Sequence, residues 1–395
     1  MEIGFVDYSK EERNQILSTL SLLDEHTALD ELGIGVVRDF YSNLLFPGIS
    51  TLQTRAKYFV LIPYLFQMNL PLIKSGRLKS GSELQRWVNL ESDKLVAVLV
   101  KYSPAGSTGI IGSRLLGQNK TVKQKVTSIY WSGLRALGIV RSPQLSLSSA
   151  CLLFFKQVQQ KNSVELVLDG DTYDDETAAD TGEAVFSPLK QPSDFPEKVS
   201  IKLSRTEAEY LRRHILDSAA TRNSLLAFLL KEHIQCDSFE DIPTANMPEE
   251  LCSVYQKARK FSNFIYGPHM RYNVIFSEGK IESLNAEFEK WMMDFGQHGF
   301  SEDFMPDLPT YSLAYARFRT LKDFCEDFAR AAANKNYEEM DRLVIQREIH
   351  VKGARAKLRK PEEYRYTGPI YNTYLDYRFS RASVILNDIF EGLEG

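Results

Sequence analysis

Residues 121–141 read TVKQKVTSIYWSGLRALGIVR, and the fold assignment turns on them. Val126, Ile129, Leu134 and Leu137 recur at helical spacing. Gly138 is the residue type that most easily ends a helix in the left-handed conformation, so a helix over 121–137 is predicted. The same stretch carries Lys123, Lys125, Ser128, Tyr130 and Arg135, with Arg141 just beyond. A short helix with one apolar face and one basic, hydroxyl-bearing face is what helix-turn-helix proteins lay against nucleic acid. Lys123, Lys125, Arg135 and Arg141 are expected on phosphates, with Ser128 and Tyr130 nearer the bases and Trp131 in the core.

Charge supports this outward from the helix. Residues 94–164 hold 10 Lys+Arg and no Asp or Glu, although the chain average would place about nine carboxylates there. A surface with cations and no acids projects positive potential, and phosphates are its commonest partners. Arg114 and Lys120 join the expected interface on that ground. The next segment, 165–198, inverts the balance with 2 basic and 10 acidic residues. It is read from 169 to 197 as an exposed acidic spacer, and one alternative has it fold back and compete with phosphate.

Helices are also predicted at 9–25 (capped by Ser9 with Glu12), 35–46, 53–68, 82–102 and 146–160. A glycine-rich connection spans 103–113, and a short strand is expected at 199–203. The fold class is therefore mainly α, in two domains. Residues 1–165 would form a basic domain with a helix-turn-helix or winged-helix-like module around 105–160. Residues 166–198 would link it to a helical interaction domain at 199–395.

Catalytic motifs do not fit. Gly112 and Gly117 have P-loop spacing, but Gln118 and Asn119 stand where Lys and Ser/Thr must hold phosphate and Mg²⁺. His350-Val-Lys352 resembles the HxK element of phospholipase D-type nucleases, yet Lys357 occupies the place of the required aspartate. The surrounding run (Lys352, Arg355, Lys357, Arg359, Lys360) reads instead as a second phosphate or acidic-partner surface, or as a solvated helix face. The six histidines form no HExxH, and 169–180 lacks the glycine and closing glutamate of a calcium loop, so no metal or cofactor is predicted. Four scattered cysteines without a CxxC pair suit a reducing, cytoplasmic setting. The 59–73 run is too short and too polar to span a bilayer, and Glu2 and Asp7 do not suit an export signal.

Six stretches carry a family resemblance: DELGIGVVRDF (30–40), LLFPGISTLQTRAKYF (44–59), IYWSGLRALGI (129–139), SLLAFLL (224–230), ARKFS (258–262) and VIQREIHVKGARAKL (344–358). They resemble an uncharacterised bacterial family, a domain of unknown function met beside helicase and phospholipase D-like genes in anti-phage islands. Pro63-Tyr64 replaces that family's usual Pro-Trp, and Pro268, His269 and Arg271 replace small or aliphatic residues. The resemblance implies a role in defence with helicase or nuclease partners, and no reaction. Arg55 and Lys57, within the second stretch, become phosphate candidates beside it. The leading expectation is a non-catalytic subunit that binds double-stranded DNA. The alternatives are an adaptor that docks a helicase or nuclease without touching nucleic acid, and an enzyme with an unfamiliar site.

Overall fold

The computed structural model describes residues 31–118, 120, 122–168, 184–298, 304–306, 315–360, 363–364, 366–370 and 373–395. Its helices, in chain order, are α1 (Gly35–Leu45), α2 (Tyr58–Met68), α3 (Leu70–Lys74), α4 (Gly81–Tyr102), α5 (Val126–Ala136), α6 (Leu147–Leu168), α7 (Arg205–Asp217) and α8 (Leu225–Lys231). They continue as α9 (Glu249–Phe276), α10 (Glu282–His298), α11 (Tyr315–Ala333), α12 (Tyr337–Lys352) and α13 (Phe379–Glu394). The protein is mainly helical, with no strand among the described residues. The one extended pairing is an isolated antiparallel bridge between Val140 and Phe186.

Two compact units emerge, and they are interleaved along the chain. One joins 39–259 to Leu375–Gly395; the other joins the described residues 31–38 to Lys260–Tyr374. Read from sequence, the chain divides consecutively instead, at 165 and 199. The helix expected at 9–25 lies outside the described residues, as does 169–183 of the acidic segment.

In the first unit α2 is the centre. Every residue from Tyr58 to Phe66 is buried. A helix that is apolar all round has no solvent face to offer, so α4 and α5 cover it. Each large apolar side chain so buried contributes about 1.5–3 kcal/mol. Around this core α4 lies along α6, and α13 along α7. The α4 start is fixed by Ser80, whose side chain accepts from the Glu83 N–H at 3.2 Å. Leu84, Val88, Leu95 and Leu99 then form its inner stripe, while Trp87 is exposed. Ser204 and Glu207 make a reciprocal capping box at α7.

The expected 199–203 strand does not form. Val199, Ile201 and Leu203 alternate into the core as a strand's residues would, but the Ile201 N–H donates to the Ser103 hydroxyl at 2.9 Å rather than to a ladder. Within 184–198, Val185, Phe186 and Phe195 are buried while Lys190, Asp194 and Glu197 are exposed; Phe186 lies among the rings of Phe66, Trp131 and Phe154, with centroids 4.9–6.4 Å away.

In the second unit α10, α11 and α12 pack in sequence order. Trp291 stacks between Phe288 and Phe295, and lies so close to Gly267 that a Cβ there would fall 2.2 Å from the indole. Arg347 of α12 is buried, and its Nε donates to the Leu32 carbonyl at 2.8 Å. Two resemblance-bearing stretches, 30–40 and 344–358, are thereby joined.

Candidate nucleic-acid interface

The helix expected over 121–137 begins only at Val126, so Lys123 lies ahead of it and Lys125 stands at its cap. Val126, Thr127, Tyr130, Trp131, Gly133 and Leu134 are buried, while Ser128 and Ser132 are exposed one turn apart, with Arg135 following on the same side. The chain meets α2 tightly at Gly133. A Cβ there would fall 2.6 Å from both the Gly48 carbonyl and the Phe59 ring, so only glycine lets the FPG turn of 46–48 seat against the helix. Trp131 is buried and donates from Nε1 to the Leu145 carbonyl at 2.8 Å.

Ahead of α5, Arg114, Lys120 and Lys123 are exposed, and none of them is held in an ion pair among the described residues. Arg141, beyond the helix, is exposed in the same way while its backbone N–H pairs with the Val185 carbonyl at 3.1 Å. Ser128 is open to solvent. These residues are exposed, as a phosphate contact requires.

Other expected contacts are used up inside the fold. The Arg55 guanidinium grips Asp388 of α13 through Nε (2.9 Å to each carboxylate oxygen) and Nη2 (2.6 Å), and its Nη1 donates to the Thr108 carbonyl at 3.0 Å. Lys57 is buried, with Nζ 2.8 and 2.6 Å from the Glu207 oxygens. Tyr130 is wholly buried: its hydroxyl accepts from the Thr54 and Arg55 N–H groups at 2.8 and 3.0 Å and donates to the Arg55 carbonyl at 2.9 Å. Burial pushes that phenol up to about 12, against the backbone donors that pull it down. A tyrosine fixed this way reaches no base. Lys125 is half-buried and meets Asp93 of α4 at 2.6 Å. The nearest acid to the carboxylate-free run therefore neutralises one of its own lysines, and Arg55, Lys57, Lys125 and Tyr130 form a structural hub instead of a phosphate surface.

The C-terminal basic run, in the other unit, divides similarly. Lys352 is buried in ion pairs with Glu31 and with Glu348, the latter at 3.4 Å, and the Lys357 Nζ lies 3.1 Å from Glu31. Glu348 also accepts from Tyr272 Oη at 2.9 Å and from the Leu358 N–H at 2.8 Å. Arg355 and Arg359 remain exposed.

One groove of about 500 Å³ touches the interface residues. Ser132, Arg135, Arg141 and Pro143 line one side, and Ser218 and Ala219 another. Arg135 is half-buried there. Its Nη1 donates to the Pro143 carbonyl at 3.2 Å, and its buried Nε makes no hydrogen bond among the described residues. The negative end of α5 is covered, because Ser218 Oγ donates to the Ala136 carbonyl at 2.6 Å and His214 Nδ1 lies 3.0 Å from the Leu137 carbonyl. A carbonyl only accepts, so Nδ1 carries the proton. Burial lowers the imidazole below its usual value, with Arg213 adding to the effect, which keeps it neutral. Arg213 of α7 stands 5.8 Å over the Tyr210 ring, and both it and Arg141 pull that phenol down against its burial. Sequence reasoning missed Arg213 and Ser218, which lie some 80 residues from α5. The only signal available was the Arg212-Arg213 pair near the end of an amphipathic helix.

The class is thus a mainly helical protein with exposed cations in the segments before and after α5 and with buried ion pairs in its core. The chain belongs to a family of unknown function, DUF6361, which matches residues 1–289. No curated protein and no solved structure matches the chain.

Proposed function

We propose that this protein is a non-catalytic nucleic-acid-binding subunit of a bacterial anti-phage defence complex, acting in the cytoplasm on double-stranded DNA beside helicase or phospholipase D-like nuclease subunits. One observation carries the nucleic-acid reading. Arg114, Lys120, Lys123, Arg135 and Arg141 come from one carboxylate-free stretch and have no internal ion-pair partner among the described residues, although most other candidate cations have one. Cations left unpaired at this density favour a polyanion, since each phosphate they neutralise releases a condensed counterion.

In this reading α5 is the recognition element of a helix-turn-helix-like module. Ser128 and Ser132 are small enough for the helix to approach a groove, and Arg135 and Arg141 follow on the same side to take a phosphate. The defence setting and the partners rest on the family resemblance alone. Cys151 and Cys325 are buried free thiols, each pushed up to about 12 by burial, which suits a reducing compartment.

Fluorescence anisotropy with a labelled duplex tests the reading. The triple variant Arg114→Ala/Lys120→Ala/Lys123→Ala is expected to bind at least tenfold more weakly than the parent, and equal affinities refute the interface. A parent chain that ignores duplex yet co-purifies with a helicase or nuclease establishes the adaptor reading instead.

A further inference from the structure

We infer that the groove between the end of α5 and the 218–220 segment is a seat for a phosphomonoester, the phosphate at an end of a nucleic-acid strand. That the phosphate arrives on nucleic acid rests on the reading above, whereas the seat rests on its own geometry.

The groove, about 500 Å³, has no carboxylate among its lining residues and two arginines on its wall. A guanidinium presents N–H donors in a rigid fork that matches phosphate oxygens two at a time. Arg141 is exposed without an ion-pair partner among the described residues, and the Arg135 Nε is a buried donor without an acceptor. Buried donors are almost always bonded, so an unused one marks a guanidinium not fully engaged by the fold, and a small turn of Arg135, which lines the groove, brings it to an acceptor there. Ser132 adds an exposed hydroxyl one turn earlier on α5. The helix carbonyls that would repel an anion are already occupied by Ser218 and His214.

Charge distinguishes the kind of phosphate. An internal phosphodiester carries a single charge and has chain on both sides. An end phosphate enters with one attachment. It also carries a charge of about −1.5 to −2 at neutral pH, enough to engage two guanidinium groups.

The test uses the full chain and three duplexes identical in sequence, ending in 5′-phosphate, 3′-phosphate or hydroxyl. One phosphate-ended duplex is expected to bind about tenfold tighter than the hydroxyl-ended one, the scale of a charge-assisted hydrogen-bonded pair. That ratio is expected to fall to about one in Ala219→Leu, which narrows the groove without changing charge. Arg135→Lys, which keeps charge but loses the fork, is expected to do the same. Equal affinity for all three ends in the parent overturns the inference and leaves duplex binding intact. Calorimetry with inorganic phosphate and a nucleoside monophosphate separates the sources. If either binds, and Arg135→Lys abolishes it, while no duplex binds, the seat stands and the nucleic-acid reading fails. An acidic peptide competing as well as the monophosphate shows a general anion surface and overturns the seat.

Discussion

Asp388→Ala tests the buried pair that ties the 54–57 segment to α13. The Asp388 carboxylate meets Arg55 through three contacts of 2.6–2.9 Å and also accepts the buried Ala56 N–H at 2.8 Å. Removing it leaves a guanidinium, 13% exposed, with the Thr108 carbonyl as its remaining acceptor, and an amide with none. Breaking a buried pair from one side costs about 3–5 kcal/mol, and the partial access of water to Arg55 puts this case near 3. Because the chain forms two units, a single global unfolding free energy is the wrong readout, and native-state hydrogen exchange reads local opening directly. Protection over 54–61 and 385–390 is expected to fall about 150-fold. The doubly apolar variant Arg55→Met/Asp388→Leu is expected to regain most of the loss, since a well-packed apolar pair avoids the stranded charge. A loss below about 1 kcal/mol in Asp388→Ala, or no recovery in the double variant, refutes the reasoning.

Two further outcomes follow from buried groups. Gly133→Ala gains about 1 kcal/mol of helix propensity but forces a Cβ to within 2.6 Å of the Gly48 carbonyl, so overpacking of about 1–3 kcal/mol prevails. Thermal denaturation of the variant is expected to begin several degrees lower, and an unchanged or raised midpoint would contradict the close approach. His269 is buried and pushed down to about 3 by burial, with the Arg38 charge adding to the effect. Its unfolded value is near 6.5, so between pH 6.5 and 3 the unfolded chain binds the extra proton and stability falls as pH falls, about 1.4 kcal/mol per unit. His269→Gln is expected to lose about 3 kcal/mol less than the parent between pH 7 and 4.5 in native-state hydrogen exchange over 261–276, and identical pH profiles would exclude the histidine as the cause.

Helices whose apolar residues recur every third or fourth position were legible, because that periodicity is local. Gly35–Leu45 and Gly81–Tyr102 match the predicted 35–46 and 82–102 within a residue. The helix expected from 53 begins only at Tyr58, because 54–57 is pinned by Tyr130, Asp388 and Glu207, partners 75 to 333 residues away. The same distance explains the site. A lysine beside apolar residues looks identical whether it snorkels, meets phosphate or meets a distant carboxylate. Lys57 and Lys352 carry the third answer, while Lys120 and Lys123 are exposed. The groove was invisible because Arg135 and Arg141 are joined there by Ser218 and Ala219 of another segment.

The salt dependence of duplex binding tests the central claim most directly. If Arg114, Lys120 and Lys123 each neutralise one phosphate and Arg135 and Arg141 share the end phosphate, log affinity for a phosphate-ended duplex falls against log salt concentration with a slope of about −3.6. The triple alanine variant at 114, 120 and 123 leaves one contact, and its slope is expected near −0.9. The same slope in parent and variant would contradict the account, since those three side chains would then touch no phosphate.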